Sequence, residues 1–193
     1  MKLIDNNVEK LKDSLISEIK KDDKIAIAAS CFSMYAFKEL MEQLKDISEL
    51  RFIFTSSAVI KNERAKKGRK NDSRNEFEDV LAGTAFETQL RDVMSQKAIA
   101  CEFADWIRKE NIQFRAKVTN EPMTGYAVVS SSDRKHTTAY APLLGFTTVD
   151  LGCADKKDVL NLIQEIEAPY SKQYLSLFDS IWKVGFIGLY KKQ

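Results

Sequence analysis

Two short apolar runs near the start of the chain limit its possible folds more than any other feature. Lys24–Ser30 (KIAIAAS) and Arg51–Thr55 (RFIFT) are nearly continuous in apolar residues and too short to be helices. Runs of this kind mark strands buried on both faces, as in a parallel sheet covered by helices. Each run follows a segment of helical period. Val8, Leu11, Leu15, Ile16 and Ile19 recur at that spacing after the capping-type residues Asp5, Asn6 and Asn7. Tyr35, Phe37, Leu40, Met41 and Leu44 do the same after Ser33. The pattern predicts helices at 8–20 and 33–45, and adjacent parallel strands at 25–30 and 51–55, so the class is α/β.

Further along, Ala82-Gly83-Thr84 reads as a turn. Phe86, Leu90, Val93, Met94, Ala98, Phe103, Trp106 and Ile107 mark a long helix over roughly 86–110. Trp106 and Trp182 fall at core spacing, as packing residues and not as base-stacking platforms. Strands are predicted at 112–118, 125–130, 137–141 and 146–151, separated by turn signals at Glu121-Pro122 and Ser131-Ser132-Asp133. Asp155 is placed to cap a helix through Val159, Leu160, Ile163 and Ile166 that stops before Pro169. Ser171 opens a last helix through Tyr174, Leu177, Phe178, Ile181 and Trp182. There is no internal repeat, low-complexity tract or linker, and 193 residues fit one domain.

Several function classes lose their residues at this stage. The chain has three cysteines, Cys31, Cys101 and Cys153, and one histidine, His136. That set suits neither a disulfide scaffold nor a cysteine-based zinc site, and no metal or other cofactor is implied. No Gly-x-Gly-x-x-Gly, Walker-type Gly-Lys-Ser/Thr or Gly-x-Ser-x-Gly occurs, so a nucleotide motor or a serine hydrolase within these residues is not expected. No apolar run approaches the roughly 20 residues of a membrane helix, and the first residues do not read as a signal peptide, which makes the cytoplasm the expected location.

The charge is unevenly distributed. Between Lys61 and Arg74 lie seven basic residues, Lys61, Arg64, Lys66, Lys67, Arg69, Lys70 and Arg74, with two acids, Glu63 and Asp72. The segment therefore carries +5 while the whole chain carries +2. It is read either as a solvated surface loop or as a sequence-independent contact to phosphate backbone.

Two residues invite a catalytic reading. Cys31 falls between a strand end and a helix start, where backbone N–H groups can lower a thiol pKa. Thr55, Ser56 and Ser57 end the neighbouring strand, and ligands of parallel sheets collect at such carboxyl ends. The structural alternative is a small thiol packed behind Phe32. His136 could serve Cys31 or a serine as base, but it lies in a polar turn beside Arg134 and Lys135 and reads as a surface residue.

Several stretches, taken together and in order, resemble the N-terminal domain of large bacterial helicase-like proteins, in which a phospholipase D-like domain precedes a DEAD/DEAH-type ATPase. They are IAIAASCFS at 25–33 with the following YAFKEL, RFIFTS at 51–56, FETQLR at 86–91, AIACEFADWIR at 98–108, GFTTVDLG at 145–152 and YLSLFDSIW at 174–182. The resemblance implies a phospholipase D-like α/β sandwich over residues 1–182, a mixed sheet with helices on both faces, followed by a divergent tail at 183–193. Active members of that superfamily carry His-x-Lys, with the histidine as nucleophile on a phosphodiester. Here the corresponding strand reads Phe114-Arg115-Ala116-Lys117, with no histidine two places before the lysine, and His136 is followed by Thr137 and Thr138. The resemblance therefore implies a domain without the usual nuclease chemistry, one that binds nucleic acid or recruits a helicase ATPase partner. The alternative is a phosphodiesterase with a non-standard site drawn from Lys117, Cys31 and His136, formed within a homodimer. A third reading is an interaction module that docks through Val184, Phe186, Ile187, Leu189 and Tyr190.

Overall fold

The computed structural model describes residues 2–55, 93–116, 123–154, 162–183 and 187–188. Its centre is a mixed sheet of eight strands. In chain order the elements are β1 (Lys2–Ile4), α1 (Leu11–Glu18), β2 (Lys24–Ala29), α2 (Met34–Glu39), α3 (Met41–Lys45), β3 (Glu49–Phe54), α4 (Val93–Ile107), β4 (Ile112–Ala116), β5 (Gly125–Ser130), β6 (Thr137–Leu143), β7 (Ile163–Ile166), α5 (Tyr170–Lys183) and β8 (Ile187–Gly188). Across the sheet the order is β1-β7-β6-β5-β2-β3-β4-β8. The two apolar runs are adjacent parallel strands, with Ile25 opposite Leu50 and Ala29 opposite Phe54, and β4 extends the parallel set. All other pairings are antiparallel.

Alternation along the central strands sends side chains into two different cores. Ile25, Ile27, Ala29, Leu50, Phe52, Phe54 and Phe114 face α1–α4 and meet Leu11, Leu15, Phe37, Leu44, Phe103 and Trp106. Ala26, Ala28, Ile53, Val128, Ala139 and Ala141 face the other way and meet Leu175, Phe178 and Trp182 of α5. Helices therefore cover both faces of the sheet. At the start of β5 a side chain on Gly125 would sit 2.3 Å from the Leu143 carbonyl and 2.7 Å from that of Ala28, so only glycine fits between β2 and β6 there.

Several sequence expectations are corrected. The segment 146–151 is not a strand. Phe146 forms a single bridge to Phe32, and Thr147 and Asp150 then bond locally. The Asp150 carboxylate accepts from Thr147 N at 3.2 Å and Thr147 Oγ1 at 2.7 Å, which gives the backbone a turn in place of a ladder. Ile163 and Ile166 lie in strand β7, not in a helix. Their three-residue spacing suits either element, but in a strand it sends the two side chains to opposite faces: Ile163 packs in the first core and Ile166 in the second. The helix expected at 33–45 breaks at Leu40, whose N–H bonds to Phe37 O and closes α2 before α3 begins. Val8 is 87% exposed and precedes α1, because the Asp5 carboxylate accepts from the N–H groups of Asn7, Val8 and Glu9 and holds them in a turn. Strands β1 and β8 have no counterpart in the sequence reading. Ile187 pairs with Ala116 at the edge of the sheet, so a piece of the segment read as a divergent tail joins the main sheet.

Candidate functional site

The parallel strands β2, β3 and β4 end together, and their carboxyl edge holds the first candidate. Thr55 N donates to Ala29 O across that edge. Ser30 is tied to the loop after β6, since its N–H and its hydroxyl both donate to Leu144 O, at 3.0 and 2.7 Å. Phe146 N donates to Cys31 O, and Ser33 caps α2 by accepting from Tyr35 N. The Cys31 thiol is half-buried, not enclosed behind Phe32. Gly145 leaves it room, because a Cβ there would fall 2.7 Å from Cys31 Sγ and 2.9 Å from Asp150 Oδ2. It is Phe32 itself that is fully buried, its ring 5.2–5.9 Å from those of Phe52, Phe103, Trp106, Phe114 and Phe146.

His136 lies at the opposite edge. It closes the β5–β6 hairpin beyond Ser130, which pairs with Lys24 at the amino end of β2. Cys31 follows the carboxyl end of the same strand. Six strand residues separate the two edges by about 20 Å at roughly 3.3 Å per residue. The imidazole is exposed, and its Nε2 lies 2.6 Å from Glu18 Oε1. Cys31 and His136 of one chain are therefore not brought together. Lys117 lies outside the described residues, as do Lys61, Arg64, Lys66, Lys67, Arg69, Lys70 and Arg74, and so do Val184, Phe186, Leu189 and Tyr190 of the apolar tail. The described chain stops at Thr55 on the carboxyl edge and resumes at Val93 in α4.

Sequence reasoning missed a buried arginine network on the α5 face. Arg51 is 8% exposed. Its Nε meets Glu49 Oε1 at 3.0 Å and its guanidinium meets Asp179 Oδ1 at 2.8 Å. The other Asp179 oxygen accepts from Arg134 at 2.8 Å. Arg51 also lies against the Phe178 and Trp182 rings, 5.1 and 5.6 Å from their centroids. Arg115 stacks on the Trp182 ring at 4.0 Å and donates to Trp182 O at 2.9 Å. Burial alone would raise the Asp179 pKa, but hydrogen bonds and charge from Arg51 and Arg134 outweigh it and hold the carboxyl below its usual range. The signal for this network was present in the sequence. Arg51 and Arg115 interrupt apolar strands at positions that alternate with Phe52, Phe54 and Phe114, so they point away from the aromatic core.

The hairpin that supplies Arg134 is tightly organised. The Asp133 carboxylate accepts from Ser131 Oγ at 2.7 Å and Lys135 N at 3.0 Å, and these bonds hold its pKa down at about 2. Arg134 takes φ 57°, in the left-handed region, and its N–H donates to Ser131 O at 2.8 Å.

Among the described residues no group of three or more His, Cys, Asp or Glu is placed to hold a metal ion, and no helix is long and apolar enough to cross a membrane. No protein-family model matches the chain, and no curated protein matches it.

Proposed function

We propose that this domain binds nucleic acid through its phosphate backbone without cleaving it, as a phospholipase D-like accessory domain that works beside a helicase ATPase in the cytoplasm. One observation carries the reading: the run of seven cations at 61–74 follows β3, which ends at the carboxyl edge of the parallel strands, where ligands of α/β sheets collect. The mixed sheet with helices on both faces is the architecture that the resemblance implies. The roughly 20 Å between Cys31 and His136 favours the binding reading over a cysteine–histidine phosphodiesterase within one chain.

Lysine and arginine contacts of this kind are blind to sequence and sensitive to salt. If between half and all of the seven cations touch duplex phosphates, log K against log salt should fall with a slope of roughly −3 to −6. A mobility-shift titration with duplex, single-stranded and RNA probes at two salt concentrations measures it. Changing Lys66, Lys67, Arg69 and Lys70 to Ala should flatten the slope and weaken all probes alike. Salt-independent binding would overturn the reading. So would turnover of DNA or a chromogenic phosphodiester that disappears in Lys117→Ala.

A further inference from the structure

We infer that the groove between α5 and the β5–β6 hairpin is a second binding surface for a nucleic-acid backbone, at the edge of the sheet opposite to the one where the chain leaves toward Lys61–Arg74. The inference takes its ligand class from the proposed function but rests on different residues. The groove is an open cavity of about 320 Å³ lined by Arg134, Thr137, Lys172, Ser176, Asp179 and Lys183, among others. Its place is fixed by the hairpin: Thr137 pairs with Ser130, and Ser130 with Lys24 at the amino end of β2.

Its charge is positive where a ligand would enter. Of the four charged residues on the wall three are cations, and the single carboxylate, Asp179, is already shared by Arg51 and Arg134. Lys172 and Lys183 are exposed and have no ion-pair partner among the described residues. Arg134 is held at the groove by the Asp179 bond despite a backbone conformation unusual for a residue with a side chain. Thr137 lies buried at the floor of the groove, with its carbonyl taken by Ser171 Oγ at 2.7 Å, so the base of the groove is fixed to the start of α5.

The spacing favours an extended polyanion over a single phosphate. Lys172, Ser176, Asp179 and Lys183 fall on one stripe of α5 at intervals of three and four residues. At about 1.5 Å rise per residue the two lysines lie about 16 Å apart along the helix, with Arg134 reaching Asp179 between them. One phosphate could meet only one end of the stripe, whereas a nucleic-acid strand could meet all three cations.

The test is fluorescence anisotropy of a labelled single-stranded oligothymidylate of about 20 nucleotides with the full chain, over a range of salt. Three proteins are compared: the parent, Arg134→Ala/Lys172→Ala/Lys183→Ala, and Lys66→Ala/Lys67→Ala/Arg69→Ala/Lys70→Ala. The groove variant should bind at least tenfold more weakly at low salt, with a salt slope shallower by about 2, because three single-strand contacts are lost. Because Arg134 also holds Asp179, Lys172→Glu/Lys183→Glu serves if the triple variant does not fold, and should weaken binding at least as much. Weakening in both the groove and the 61–74 variants supports both surfaces. Weakening in the groove variant alone supports the groove and overturns the role of the basic run. A groove variant that binds with parental affinity and slope overturns this inference, whatever the 61–74 variant does.

Discussion

The two faces of one sheet are built to different plans. On the α1–α4 side β2 presents Ile25, Ile27 and Ala29 and β3 presents Leu50, Phe52 and Phe54, under four helices and a cluster of interlocking rings. On the α5 side the same strands present Ala26 and Ala28, then Arg51 and Ile53, under a single helix among the described residues. The small residues of β2 leave space on that side, which α5 fills with Leu175, Phe178 and Trp182. An arginine on that side finds Asp179 on α5 and Glu49 on its own strand. The same residue turned toward Phe32 would meet only rings. What separates a site for charge from a site for bulk is therefore the parity of one position in a six-residue strand.

The largest expected effect lies on the thick face. Phe32→Ala removes a fully buried ring from the middle of five others and should cost about 3–5 kcal/mol in chemical denaturation. Asp179→Ala comes next. It leaves Arg51 buried with Glu49 alone and frees Arg134, so about 2–3 kcal/mol is expected. A loss larger than that of Phe32→Ala would reverse the ranking of the two faces. The Asp179 pKa is lowered by folding, so its contribution is fully present above the ordinary carboxyl value of about 3.8 and is lost as pH falls through the lower folded value. Acid titration of Asp179→Asn, followed by circular dichroism, should lack that part of the acid limb. Ala28→Leu tests the thin face directly: inserting bulk beneath α5 should cost about 1–3 kcal/mol, measured by the same denaturation. The smallest effect is expected at His136→Ala, within about 0.5 kcal/mol, because its pairing with Glu18 is at the surface. A larger loss in a thermal melt would show the hairpin to be anchored through that pair.

The parts of the fold legible in the sequence are those whose signal is local. The runs at 25–30 and 51–55, the segments of β5 and β6 on either side of the Ser131-Ser132-Asp133 turn and the periodicity of α4 and α5 each need only their own residues. Strand β1 was hidden because three residues acquire strand character only by pairing with β7. The turn after Phe146 was hidden because Thr147 and Asp150 compete for the backbone three residues apart, where apolar content alone suggests a strand. The buried arginine network was less legible still. Arg51 and Asp179 stand 128 residues apart, and nothing near either names the other. A charge that breaks an apolar strand on the side away from its large residues was the usable clue.

The position of β2 between a parallel and an antiparallel neighbour has a consequence in time. Its parallel partner β3 arrives after a short helical connection, so that pairing closes a small loop. Its antiparallel partner β5 must wait for Ala26 to meet Val128. Closing larger loops costs more chain entropy, and pairings distant in sequence form more slowly. β1 waits longest, since Ile4 must find Ile163, itself in a strand that has first to dock on β6. Strand β1, which precedes in sequence every other strand of the sheet, is thus among the last to find its place. Its amides should exchange with solvent by local opening, long before those of Ile27 at the centre of the sheet, which exchange only when the whole domain unfolds.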